Sequence, residues 1–307
     1  MQNAIYFPNL GIELEKVGRS VRIFGVEIGY YGILIGIALI VGIFLSLLQA
    51  KRTRQNIEDY LEVFIGVILF GVLGARMFYV AFEWDYYSQN PNEIFRLQDG
   101  GFAFYGALIG GIVAVFLVAK VKELYPLMIL DTAVVGLAAG QAIGRWGDFF
   151  KRESFGGYTD SLFAMQIPVS DVRAADVTEN LRNHVMQTDG INYIQVHPAF
   201  LYESLWCIVL VAVLITFRRY RRYDGEMFLV YLFGYGAGRF WIEGIRTDRL
   251  IISQVNLPVS QILSVFCMVF AVLCFVYGRI GKDGWNRGGG YGNIGFGKIK
   301  KKKMFGK

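Results

Sequence analysis

Charge is scarce in these 307 residues: Asp, Glu, Lys and Arg make up 18% of the chain, against 54% hydrophobic side chains. With a mean hydropathy of +0.41, that balance excludes an ordinary soluble domain. Histidine is scarcer still. His184 and His197 are the 2 in the chain, too few and too separated for a recognisable metal site, and no metal or other cofactor is expected. The 3 cysteines, Cys207, Cys267 and Cys274, lie inside apolar runs, which indicates neither disulfides nor zinc. Asp99 begins a DGG triplet, but no further aspartates follow at helical spacing, so the carboxylate group that holds Mg²⁺ for a phosphotransferase is missing. A cleavable leader pattern is also missing, because Lys16, Arg19 and Arg22 are set off from Met1 by mixed sequence; the first span is expected to stay. The formal charge of +6 would suit nucleic acid, yet basic residues beside apolar spans set topology or meet anionic headgroups. Membrane lipids are the expected partners, and nucleic acid is not.

What the chain does have is apolar runs near the ~20 residues that cross a bilayer. They cover 29–48, 61–82, 102–119, 127–146, 198–217, 227–242 and 257–277. This predicts an all-α polytopic membrane protein with seven transmembrane helices. A polar, β-like leader (1–28) precedes helices one to four (29–146). A polar insert at 147–196 is large enough for a small head, helices five to seven occupy 197–277, and a glycine- and lysine-rich tail (278–307) is expected to be flexible. Lys51, Arg52 and Arg54, then Lys120 and Lys122, then Arg218, Arg219, Arg221 and Arg222 close spans one, three and five. Short basic flanks face the cytoplasm, so the N-terminus and the head are expected outside and the tail inside.

That orientation sorts the chemistry. Tyr31, Arg76, Tyr105, Arg145, Tyr202 and Glu203, Arg239 and Glu243, and Ser260 and Gln261 all fall at outer span ends. They are expected to converge on one cavity. The densest stretch is 136–157, GLAAGQAIGRWGDFFKRESFGG, where Gly136, Gly140 and Gly144 share one helical face and let neighbouring backbones approach. Arg145 and Arg239 each follow a glycine at a span end and have charged company; an arginine in such a place points to an anionic ligand. Arg76 reads either as a ligand for the same site or as a snorkelling side chain paired with a carboxylate such as Glu83. Tyr30, Trp84 and Tyr86 read as headgroup-level anchors.

GQAIGRWGDFFKRESFG, HPAFLYES from His197 and GAGRFWIEGIRTDRL from Gly236 resemble three blocks of the prolipoprotein diacylglyceryl transferase family. GARMFYV around Arg76, GGFAFYGALIGG from Gly100, Asp131 and PVSQILS from Pro258 fit the same family, so the resemblance runs from about Tyr30 to Tyr277. It implies an enzyme of the bacterial cytoplasmic membrane, working toward the outer leaflet. Such an enzyme moves the diacylglyceryl group of phosphatidylglycerol to the lipobox cysteine of a prolipoprotein signal peptide, releasing glycerol phosphate as the first step of lipoprotein maturation. The resemblance also implies that Arg145 and Arg239 contact the lipid phosphate, with Tyr31, Arg76, Glu153, Gly156 and Glu243 supporting substrate binding and the two glutamates orienting the arginines. Tyr105 stands where many members carry histidine, and Asp148 where the signature usually has asparagine. Both are candidate catalytic groups, Asp148 as acceptor of the thiol proton. The competing reading is a transporter or flippase of an anionic lipid, using the arginines to bind without reacting; no inverted repeat is visible, and seven spans do not halve.

Overall fold

The computed structural model describes residues 4–96, 100–249, 251–252 and 257–280. Asp99 and tail residues 281–307 lie outside them. The described helices are α1 (Tyr30–Arg52), α2 (Ile57–Phe82), α3 (Trp84–Tyr87), α4 (Phe104–Val121), α5 (Pro126–Gly144), α6 (Trp146–Lys151), α7 (Glu179–Asn183), α8 (Ala199–Phe217), α9 (Glu226–Ile245) and α10 (Val259–Ile280). Their ends follow local chemistry. The Asn56 side chain caps α2 by accepting the Glu58 N–H at 3.2 Å, Pro126 opens α5 at a position whose N–H has no helical partner, and Lys51 and Arg52 close α1 at its negative end.

Six helical stretches, Tyr30–Arg52, Ile57–Phe82, Phe104–Val121, Pro126–Lys151, Ala199–Tyr220 and Val259–Ile280, are long and apolar enough to cross a membrane. The protein is therefore a mostly helical, multi-pass membrane protein. The expected sixth span corresponds to α9, which is 20 residues long but carries Glu226, Arg239 and Glu243 and is not among those six.

Two close helix pairs organise the bundle. On α5, a methyl group added at Gly136 would land on the Gly42 carbonyl oxygen of α1, and one at Gly110 of α4 on the Phe70 carbonyl oxygen of α2. Glycine is required at both places because backbone packs on backbone. A buried carboxylate then sets the start of α9. Asp131 of α5 accepts the N–H groups of Gly225 and Phe228 at 2.8 Å each and pairs with Arg221 at 3.1 Å. These are free donors at the positive end of the helix, and fixing that end fixes where Arg239 arrives at the other.

The strands are β1 (Ile5–Phe7), β2 (Ile12–Leu14), β3 (Ser20–Ile23), β4 (Val26–Gly29), β5 (Met165–Pro168), β6 (Met186–Thr188), β7 (Ile191–Val196), β8 (Ile251–Ile252) and β9 (Leu257–Pro258). Five of them form one sheet in the order β2-β1-β5-β7-β6. The head is thus built from leader and insert together, through antiparallel pairing of Tyr6 with Gln166. Asp189 and Gly190, both at positive φ (51° and 76°), make the tight turn between β6 and β7. Ile5, Ile167, Ile194 and Val196 pack beneath the sheet against Phe149 and Phe155 of the polar stretch and Phe200 of α8. One core therefore serves the head and the loop that follows α6.

Candidate active site

Arg145 joins α5 to α6, and its side chain reaches Glu203 in the first turns of α8. The Arg145 Nε lies 2.6 Å from Glu203 Oε2, and its Nη1 donates to Asp148 Oδ2 at 3.2 Å. Arg239, near the end of α9, approaches the other oxygen of the same glutamate: Nη1 is 3.0 Å from Glu203 Oε1, while Nη2 is 2.8 Å from Glu243 Oε2, one helical turn on. Just past α9, Arg246 Nη1 is 3.4 Å from Glu203 Oε1. Three guanidiniums from different segments thus share one carboxylate, which is 5% exposed.

Arg246 is held by a fork. Its Nε and Nη2 donate to Asp248 Oδ1 and Oδ2 at 2.9 and 2.8 Å, and Nη2 also donates to Ser154 Oγ at 2.8 Å. Burial alone would raise the Asp248 carboxyl, but the hydrogen bonds and charge of Arg246 outweigh it and hold that group below the ordinary carboxylate value. The backbone completes the frame: Gly156 and Gly157 donate to the carbonyls of His197 and Ile245 at 2.9 Å each, and Gly156 bridges to Arg246. A Cβ on Gly156 would come within 2.7 Å of the His197 Cβ. Burial lowers the His197 imidazole below its ordinary value, and its Nδ1 lies 3.2 Å from the Tyr202 hydroxyl.

The cluster holds Arg145, Glu203, Arg239, Asp148 and Glu243 of the residues singled out in the sequence. Gly156 enters through its backbone. Tyr31 lies beside it, its ring against Gly147 and under the Lys151 ammonium at 4.0 Å. Glu153 meets Lys151 at 3.8 Å and not an arginine. Arg76 belongs elsewhere. Its guanidinium donates to the backbone carbonyls of Glu93, Ile94, Arg96, Gly100 and Gly101 at 2.6–3.1 Å and sits over the Tyr87 ring, so it staples the chain between α2 and α4. Tyr105 opens α4 with 44% of its surface exposed and its ring against Phe104; among the described residues its phenol makes no hydrogen bond.

Glu203 was expected at the cavity but given no role there, and Arg246 and Asp248 were not singled out, although each lies in one of the quoted blocks. Their signal was company: Glu203 is a carboxylate opening an apolar run, and Arg246 and Asp248 are opposite charges two positions apart after a span end. Four carboxylates, Glu203, Asp148, Glu243 and Asp248, face three guanidiniums, an excess of one negative group. Below the cluster, a cavity of about 310 Å³ is lined by Leu34 of α1, Ala139, Ala142 and Ile143 of α5, Trp146 of α6, and Ser204, Ile208 and Val211 of α8. Its top is adjacent in the chain to Arg145 and Glu203. Trp146 Nε1 donates to Ser204 Oγ, which donates in turn to the Ala142 carbonyl at 2.8 Å. With one of the cluster's carboxylates protonated the guanidiniums can hold an anion, and the slot can hold a hydrocarbon chain.

Comparison with known proteins agrees with that pairing. The family model described as prolipoprotein diacylglyceryl transferase matches residues 19–277. A protein of Clostridioides difficile (strain 630) named phosphatidylglycerol--prolipoprotein diacylglyceryl transferase is 35% identical over 255 residues, covering 83% of this chain and 92% of that relative. One of the same name from Staphylococcus aureus (strain Newman) is 34% identical over 254 residues, 83% of this chain and 86% of its own. By the extent of both matches, this chain belongs to the prolipoprotein diacylglyceryl transferase family.

Proposed function

We propose that this protein transfers the diacylglyceryl group of phosphatidylglycerol to the cysteine thiol of a prolipoprotein, the first step of lipoprotein maturation. The observation that carries the reading is an arginine cluster whose Arg145 and Glu203 are chain neighbours of Trp146 and Ser204 in the lining of an apolar slot. A lipid donor has one anionic phosphodiester and long acyl chains. The headgroup needs planar guanidiniums that grip phosphate oxygens in pairs, and the chains need the hydrocarbon-lined space below. The reading places the chain in the bacterial cytoplasmic membrane with α9 as a seventh crossing, the N-terminus and head outside, and the cluster toward the outer leaflet, in accord with the basic residues at 51–54, 120–122 and 218–222.

In the reaction, the acceptor sulfur attacks the glyceryl carbon that bears the phosphate. A thioether C–S bond forms, the C–O bond breaks, and its electron pair leaves on the phosphate oxygen of glycerol phosphate. Arg145 and Arg239 hold that phosphate and stabilise the charge developing on the departing oxygen. Glu203, Glu243 and Asp248 keep the guanidiniums oriented before substrate arrives, and Gly156 keeps the backbone close. The thiol proton goes to Asp148. Glu203 has three cationic partners, and Glu243 and Asp248 have contacts of 2.8 Å, whereas Asp148 has one arginine at 3.2 Å. It is the least committed member of a cluster with one carboxylate in excess. The adjacent guanidiniums of Arg145 and Arg239 favour the thiolate over the free thiol, whose pKa is about 8.5, and protonation of Asp148 leaves three carboxylates facing three guanidiniums. Tyr105, exposed at the start of α4 with its ring against Phe104, takes no part in the transfer.

The test is direct. Purified protein in vesicles containing phosphatidylglycerol is incubated with a lipobox peptide, and the expected product is a peptide heavier by one diacylglyceryl group attached at sulfur. Transfer of intact phosphatidylglycerol between leaflets with no adduct would replace this reading with that of a flippase.

A further inference from the structure

One exposed feature takes no part in the site. β3 and β4 form a two-stranded hairpin outside the main sheet, with Val21 opposite Ile28 and Arg22 opposite Glu27. Opposed residues share a face, and residues two apart on a strand do as well. Val21, Val26 and Ile28 therefore line one face of the ribbon, and Ser20, Arg22 and Glu27 the other, where the Ser20 hydroxyl donates to the Glu27 carboxylate. The hairpin is amphipathic by its register.

Its apolar side is bare. Val26 is 62% and Ile28 38% exposed, and Phe24 at the tip is 102% exposed. The tip is also a backbone oddity. A two-residue hairpin turn of type I′ requires positive φ at both positions, which suits asparagine and glycine. Here Phe24 has φ 49° and Gly25 φ 84°. A bulky residue in that region is unfavourable, so this turn holds a large aromatic ring outward in a conformation that aromatic residues avoid.

The position of the base says what covers the face. Gly29 ends β4 and Tyr30 begins α1, with the Tyr30 N–H bonded to the Arg19 carbonyl at 2.9 Å. Arg19 also donates to the Asp171 carbonyl of the head. The base is thus fixed at the level where the first membrane helix starts, and only the tip projects. Beyond Tyr31, α1 presents Ile37, Leu39, Ile40 and Phe44, 43–68% exposed, outward, as a lipid-facing helix does. The hairpin joins that helix at its start with its apolar residues exposed, and its Arg22 and Glu27 face suits headgroups and water.

We propose that the β3–β4 hairpin lies in the bilayer interface beside the α1 N-terminus, with Phe24 seated among the upper acyl chains of that leaflet. It is a lipid-docking element distinct from the substrate site, and it holds the head at a fixed height through Arg19. The proposal rests on the membrane setting of α1 and not on the transfer reaction.

The experiment replaces Phe24→Trp in the full chain reconstituted in vesicles, and reads the added fluorescence over the wild type. An interfacial side chain sits ~5–10 Å into the headgroup and acyl boundary, so lipid brominated near the top of its chains should quench about half or more of the added signal. Iodide in the water should quench it little. Val26→Asp with Ile28→Asp in the same background should reverse both results while leaving transfer activity measurable. Added signal that iodide quenches and brominated lipid does not would overturn the proposal. So would protection that appears only when a lipobox peptide is added, which would make the hairpin a peptide contact. Loss of transfer activity with lipid quenching intact would count against the function proposed above and leave this inference standing.

Discussion

Replacing Glu203→Gln changes one oxygen to nitrogen and removes the charge that three arginines share. The shape is kept. Glu203 is 5% exposed, and its contacts at 2.6, 3.0 and 3.4 Å come from Arg145, Arg239 and Arg246. Removing one partner of a buried, hydrogen-bonded ion pair costs about 3–5 kcal/mol. Here each guanidinium keeps a second carboxylate, in Asp148, Glu243 and Asp248 respectively. The stability loss is therefore expected near the lower end, about 3 kcal/mol, and misorientation of the arginines is expected to lower kcat/KM on the order of 10²-fold. The assay is the initial rate of peptide modification against phosphatidylglycerol content of the vesicles, which separates kcat from KM. If Glu203 orients the arginines for the departing phosphate, kcat falls more than KM rises. Glu203→Asp should be impaired as well, because its carboxylate is withdrawn by one C–C bond, ~1.5 Å, and cannot meet all three groups. A Glu203→Gln enzyme with normal kcat/KM would refute the reasoning, since the arginines would then be held without the residue that joins them.

Arg145→Lys keeps the charge but cannot engage Glu203 and Asp148 through a planar fork; losing a charged hydrogen bond worth about 1.5–3 kcal/mol should lower kcat/KM roughly 10- to 100-fold, and a normal rate would refute the clamp. Tyr105→Phe should cost less than about threefold, because a phenol acting as general acid or base would be worth about 10²-fold or more; a loss of that larger size would return Tyr105 to the catalytic groups. The Asp248 carboxyl, held low by Arg246, contributes stability that is fully present above its unfolded value of about 3.9 and is lost as pH falls through its lower folded value. Thermal melting of Asp248→Asn should therefore be lower than wild type near neutrality and converge with it in acid; a constant gap at every pH would dissociate Asp248 from that dependence.

The membrane character and the two leading arginines were legible because each is a contrast in the sequence: apolar runs against short basic flanks, and isolated charge at the end of an apolar run. Arg76 has the same contrast and a different fate. Its charge is satisfied by carbonyls of a loop whose path no local pattern reveals, so the reading by isolated charge could not separate a ligand for substrate from a staple for backbone. Glu203 was visible as a carboxylate at a span start, but its role depends on Arg239 and Arg246, 36 and 43 residues away, and distance in the bundle is not written in spacing. The leader read as β-like, yet its partner strand β5 could not be named, since short strands of a mixed polar insert pair by fit to a shared core. Asp131 was noted as a match to the family and not as the group that caps α9, because helix capping from another helix has no sequence signature of the local kind.

The pairing of Tyr6 with Gln166 also dictates an order of assembly. A ribosome makes about 5–20 residues per second, so the first strand waits on the order of ten seconds for its neighbour, while α1, α2, α4 and α5 are inserted. Until β5 and β7 have been delivered to the same side, β1 has no sheet to join, and Phe149 and Phe155 have no core to enter. The loop bearing Ser154 and Phe155 stays untethered during that interval. Competence for chemistry is thus a late event in the life of the chain, and truncation anywhere before the end of β7 leaves inserted helices without a working centre.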